Sequence, residues 1–154
     1  MLHTIQVFII TLLLTAFTFS QRVFITEITD PQNSSDAGRY VELYNDDDVE
    51  YRESLALVRW TNGNADYTSS SLQSITGTIP AHGFYIICND ADKFSVTYGG
   101  TCDQDIGTGG FADSNGDDNM AVVLDDVVVD MFGVAGEDGS GTGHEFEDGR
   151  AERA

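Results

Sequence analysis

Basic residues are scarce in this 154-residue chain: seven Lys and Arg stand against 26 Asp and Glu, a formal net charge of −19. That shortage argues against nucleic acid or an anionic membrane surface as partner, since both recruit Lys and Arg to neutralise negative charge. It suits cations, basic proteins or plain solvation. Cysteine is as sparse, with two residues, and no CxxC occurs; two sulfurs alone do not make a zinc site. Histidine offers little for catalysis. His82, in a turn, and His144, in a glycine-rich tail, lack a neighbouring Ser or Cys that would make a nucleophile and base. With only two Pro but 16 Gly, the turns fall mainly to glycine. There is no internal repeat and no long amphipathic helix.

What remains is a packed domain. A hydrophobic content of 41% is ordinary for a globular core and too high for a disordered acidic tail. The length suits one domain plus a short targeting segment. The apolar run Ile5–Phe19 is shorter than the roughly 20 residues of a membrane-spanning helix. It ends in small residues at Thr18 and Ser20, and residues 1–20 are expected to be a signal peptide cleaved before Gln21. The expected destination is extracellular. Lys and Arg are missing ahead of the apolar run, which departs from the usual signal, and an uncleaved anchor is the alternative.

From residue 21 the chain reads as short strands between turns. Arg22–Ile28 and Arg39–Asn45 mix β-branched and aromatic residues with alternating polarity. In the second, Tyr40, Glu42 and Tyr44 share one face, while Val41 and Leu43 share the other. Asp46-Asp47-Asp48 ends it. Ser54–Trp60 follows with Leu55, Leu57 and Arg59 on one face; the single Trp60 is expected as a core anchor. The polar segment Thr68–Ile79 suggests an edge strand held by Leu72 and Ile75. Gly83–Asn89 is strongly apolar, and Asn89 or Asp90 is placed to cap a helical turn bearing Phe94 and Tyr98. Ile106–Gly110 is expected to be irregular. Met120–Leu124 and Val127–Phe132 make a hairpin about Asp125-Asp126. The acidic, Gly-rich end beyond Gly133 reads mostly as loop, with Val134 and Phe146 as tethers. About seven short strands point to an all-β sandwich.

Cys88 and Cys102 are even in number on a chain expected to be exported, so a disulfide is the default. Closing a loop of this size stabilises by roughly 3 kcal/mol on the chain-entropy estimate. Asn33-Ser34-Ser35 is a sequon, making Asn33 a candidate glycosylation site.

The order of several short motifs resembles the lamin tail domain family, in its secreted rather than nuclear members. Phe24–Ile28 (FITEI) is similar to the opening strand, and Tyr40–Asn45 (YVELYN) to the next, with its glutamate and asparagine. Trp60, Ile79-Pro80 with Gly83-Phe84-Tyr85, and SNGDDNMAVVLDD followed by Val129-Asp130 continue the likeness. The resemblance covers nearly all of 21–154 and implies an immunoglobulin-like β-sandwich serving as a non-catalytic module. The run Asp46–Asp48 and the acidic end depart from it, carrying more charge than a nuclear lamin tail.

Two acidic clusters carry the remaining chemistry. Asp113, Asn115, Asp117 and Asn119 present side-chain oxygens at alternate positions, as calcium loops do. However, Asp118 stands where such a loop wants Gly, and Leu124 where it wants a bidentate Glu. A polar loop turning at Asn115-Gly116 is the preferred alternative. Glu137-Asp138 with Glu145, Glu147 and Asp148 form the second cluster; His144-Glu145 begins like HExxH, but Asp148 replaces the second His. Gly139, Gly141 and Gly143 lack the strand-then-helix setting of a phosphate loop.

The expectation is therefore a secreted interaction, adhesion or matrix module, not an enzyme, that needs no cofactor and binds an extracellular protein or matrix partner. An acidic calcium-binding or mineral-associated protein with Ca²⁺ at Asp113–Asn119 is the first alternative, and a small secreted hydrolase the second.

Overall fold

The computed structural model describes residues 22–51 and 54–154; the expected signal peptide lies outside them. The chain forms an all-β sandwich of two sheets. Its strands are β1 (Val23–Thr29), β2 (Tyr40–Asn45), β3 (Leu55–Trp60), β4 (Gln73–Ser74), β5 (Phe84–Cys88), β6 (Gln104–Asp105), β7 (Asn119–Leu124), β8 (Val127–Phe132) and β9 (Arg150–Glu152). One sheet runs β6-β5-β2-β1-β9, the other β4-β3-β7-β8. All pairings are antiparallel except β5 with β6.

Strand alternation builds the core. Val41 and Leu43 face inward from β2, and Leu55 and Leu57 from β3, meeting Met120 and Val122 of β7. Burying each such side chain stabilises by about 1.5–3 kcal/mol. In β1 a bulge between Ile25 and Glu27 shifts the register. The extra residue turns Ile28 inward, so Val23, Ile25 and Ile28 all reach the core despite their uneven spacing. Trp60 is buried, as expected of an anchor, but in a second hydrophobic cluster rather than between the sheets. It follows Val58 onto the outer face of its sheet, packs with Ala121, and meets the edge of the Tyr67 ring at 5.8 Å. The two-residue period that sends Leu55 and Leu57 inward requires this.

The expected edge strand shrinks to Gln73–Ser74. Ahead of it, the buried Ser71 hydroxyl accepts the Arg59 N–H at 3.0 Å, doing with a side chain what a paired strand would do with its backbone. Leu72 is exposed, while Ile75 packs on the core. The segment expected to be irregular also contributes: Ile106 packs on the core, and Phe111 just after it is fully buried.

The helical turn is a helix, α1 (Ala91–Tyr98), begun by the Asp90 side chain accepting from Lys93 N and ended by Gly99 in the left-handed region. It lies across the outer face of the larger sheet, with Phe94 buried edge-on against Tyr40 at 5.4 Å. The Cys88–Cys102 disulfide ties the end of β5 to the loop after it.

The hairpin turns at Asp125 and Asp126, whose φ values of 48° and 64° fit the mirror-image two-residue turn that matches strand twist. Asp130 then stitches the sheets together. Its carboxylate accepts from Ile25 N at 2.7 Å and from Arg153 Nη2 at 2.7 and 2.8 Å. The acidic end is more ordered than a loop. Phe146 is buried, Arg150–Glu152 pairs with β1, but Val134 is exposed. Among the described residues no helix is long and apolar enough to cross a membrane.

Candidate functional site

The loop before β7 takes its shape from the groups it ties together. Asp113 accepts from Arg39 Nη1 at 3.0 Å, Asn89 Nδ2 at 3.1 Å and Gly109 N at 2.7 Å, while its carbonyl accepts from Arg59 Nη1. Arg39 also reaches the fully buried Asp30 at 2.6 Å. Burial pushes the Asp113 carboxyl up, but the Gly109 N–H, the Arg39 guanidinium and the Asn89 amide outweigh it, leaving it below its ordinary value. Asp118, with no exposed surface, holds Arg59 at 3.0 Å and Asn62 N at 2.9 Å. Asn119 bonds Val134 N at 2.9 Å and the Glu137 carbonyl at 2.7 Å, anchoring the acidic end.

Three of the four candidate calcium ligands are thus engaged with different neighbours. Asp113 faces Arg39, Asn119 faces the chain beyond β8, and Asn115 is exposed. Asp117 accepts from Asn62 Nδ2 at 2.7 Å through one oxygen, and its other oxygen is buried without a partner. Burial, then Asp118 and Asp138, raise its carboxyl above the ordinary value. Among the described residues, no group of three or more His, Cys, Asp or Glu is arranged to hold a metal ion. Gly116 forms the turn, at φ 98°. A Cβ there would sit 2.4 Å from the Glu147 backbone, so glycine alone lets the acidic end close over the loop.

His82 Nε2 lies 2.9 Å from Asp48 at an exposed turn. His144 Nδ1 lies 3.0 Å from the Thr142 hydroxyl, which gives its proton to the Gly139 carbonyl at 2.6 Å. Asn33 is exposed, with its side-chain amide donating to Glu147.

A second surface emerges on the larger sheet, on the face turned from the core. Phe24, Tyr44 and Phe84 lie side by side on β1, β2 and β5, because register pairs Phe24 with Tyr44 and Tyr44 with Phe84. Their ring centroids are 5.8 and 4.9 Å apart. The guanidinium of Arg153 lies over Phe24, 5.2 Å from its centroid. With Thr26 and His82, these groups line an open groove of about 480 Å³. Phe84 is 54% exposed. One strand step away, Glu42 accepts from the Thr26 hydroxyl at 2.8 Å; burial raises its carboxyl, and Glu27 and Glu152 add to the effect. Farther along, α1 and the disulfide cover the same face at Tyr40 and Cys88. The ring row has no such cover.

Alternation placed Tyr44 on the outer face, but the row itself escaped the sequence. Phe24 and Phe84 join it only through the pairing of β1 and β5 to opposite edges of β2. Comparison with models of known families gives no match for this chain, and comparison with curated proteins gives none either.

Proposed function

We propose that the protein is a secreted, non-catalytic interaction module of lamin-tail type with an immunoglobulin-like sandwich, acting in adhesion, a matrix or a surface layer. The observation that carries this reading is the row Phe24, Tyr44 and Phe84 beside a groove, with Phe84 54% exposed. Rings of this kind combine large contact area with little entropy to lose, and they dominate recognition surfaces. The test is a panel of immobilised peptides and glycans probed with the native protein and a Tyr44→Ala/Phe84→Ala variant of equal melting temperature. At least one ligand should be retained by the native protein and lost by the variant. A robust hydrolysis of esters or glycosides by the purified protein would instead make it the small hydrolase.

A second reading is favoured by the partnerless oxygen of Asp117 close to Asp138: cation binding, with Ca²⁺ the natural choice for carboxylate oxygens. Thermal melts with millimolar calcium and with chelator decide it. Coincident midpoints remove the second reading, because a ligand selective for the native state must stabilise it.

A further inference from the structure

We infer that the occupant of the ring row is an arginine-bearing basic segment of a protein partner, held by guanidinium–ring stacking and by the acidic rim of the row. The inference rests on the reading of that row as a binding surface and adds the chemistry of the ligand. Two observations carry it. The row already receives one guanidinium: Arg153 covers Phe24 at 5.2 Å while its fork is held by Asp130. Phe84, at the other end of the row, is 54% exposed and has no cation of its own. An incoming guanidinium on Tyr44 and Phe84 would repeat a geometry the fold already uses once.

Charge complementarity supplies the second line. Among the described residues the cations beside the row are already paired: Arg22 with Asp47 at 2.8 Å, Arg153 with Asp130, and Arg150 with Glu27 and Glu152. His82, on the groove, faces Asp48. Left over at the end of β2 is the exposed Asp46, which makes no ion pair among the described residues, and one step along the sheet Glu42 accepts from the Thr26 hydroxyl. The rim is therefore acidic in excess, as is the whole chain at −19. An anionic ligand is repelled; a neutral one gains the rings but nothing from the rim; a basic one gains both.

The probe is a fluorescein-labelled nonapeptide alternating Gly and Arg, titrated by anisotropy at 150 mM salt, where the Debye length of about 8 Å mutes the general field of the chain. Controls replace Arg with Gln or Glu, and a neutral β-linked glucan oligosaccharide competes. The native protein is expected to bind the Arg peptide and not the Glu peptide. Tyr44→Ala/Phe84→Ala should weaken binding about tenfold, and Asp46→Asn about twofold. Both variants should still melt cooperatively. Where the double variant loses its cooperative melt, Phe84→Leu replaces it, keeping apolar bulk without a ring.

Equal affinity of native and ring variants for the Arg peptide would overturn the inference, since charge alone would then suffice. Ring-dependent binding of the Gln peptide or the glucan, without preference for Arg, would also overturn it while leaving the row a binding surface. No ring-dependent binding of any probe would remove both.

Discussion

Two regions of this molecule invite opposite judgements from sequence and from structure. The loop from Asp113 to Asn119 looks like a ligand site, with its oxygens at alternate positions, yet nearly every one is bonded to another part of the protein. The row of Phe24, Tyr44 and Phe84 looks unremarkable in the chain, its members far apart, yet it stands uncovered on a sheet face. Buried oxygens must find partners on folding, because leaving one unpaired costs about 1–3 kcal/mol. Asp113 and Asp118 therefore became braces for Arg39 and Arg59. Outward-facing rings carry no such obligation. Density of polar groups in the sequence marks where a fold must be tied together as readily as where it binds.

The sharpest way to break that comparison is Asp118→Ala. It leaves the nearly buried Arg59 guanidinium without its carboxylate and should cost about 3–5 kcal/mol in urea denaturation. A loss under about 1 kcal/mol would mean that the loop is not structural and reopen it as a site. Next comes Gly116→Ala, which must force a Cβ against the Glu147 backbone at positive φ. About 1–3 kcal/mol of strain is expected, with faster proteolysis near residues 144–149 as the acidic end lifts. Unchanged cleavage would show that the end can reseat elsewhere.

The ring row should behave in the opposite manner. Tyr44→Ala/Phe84→Ala is expected to change stability by no more than about 1.5 kcal/mol, the worth of ring–ring contact on a surface already wet. A larger loss would make the row part of the packing rather than a free face. The smallest effect is with pH, and its sign divides the loop itself, Asp113 from Asp117. Asp30, Glu42 and Asp117 have raised carboxyls, so their protonation favours the folded chain; stability grows as pH falls through their folded values. Asp113 is lowered, so its contribution is present above the ordinary carboxylate value, near pH 4, and is lost as pH falls through its folded value. Maximum stability should thus lie on the acid side of neutrality, and Asp113→Asn should flatten the decline below it. Melting curves between pH 7 and pH 3 would show either behaviour; a steady rise with pH would contradict the raised carboxyls.

Much of the architecture was legible because it rests on local alternation. The division of Tyr40, Glu42 and Tyr44 from Val41 and Leu43, the capping of α1 by Asp90, the hairpin at Asp125-Asp126 and the pairing of Cys88 with Cys102 all follow from neighbours in the chain or from simple parity. Trp60 shows the limit of that reasoning. Its size argued for burial, and it is buried, but its parity with Val58 put it in a separate cluster on the outer face rather than between the sheets. The strands β6 and β9 were missed for a related reason. Two or three residues carry no period to detect, and each exists only because β5 or β1 offers it an open edge.

The candidate site divides in the same way. The sequence alone settled that this is a small acidic β domain with one disulfide, since composition, alternation and cysteine count act without knowledge of what lies across the fold. Which acidic groups would be spent internally, and which aromatic residues would line up in the open, depended on register between strands distant in the chain. Phe24 and Phe84 are neighbours of Tyr44 only because β2 hydrogen-bonds to β1 on one side and β5 on the other. Asp113 lost its freedom only because Arg39 and Arg59 were brought under it from two different sheets. Cross-strand pairing is a property of the assembled sheets, so the tertiary structure alone could decide it.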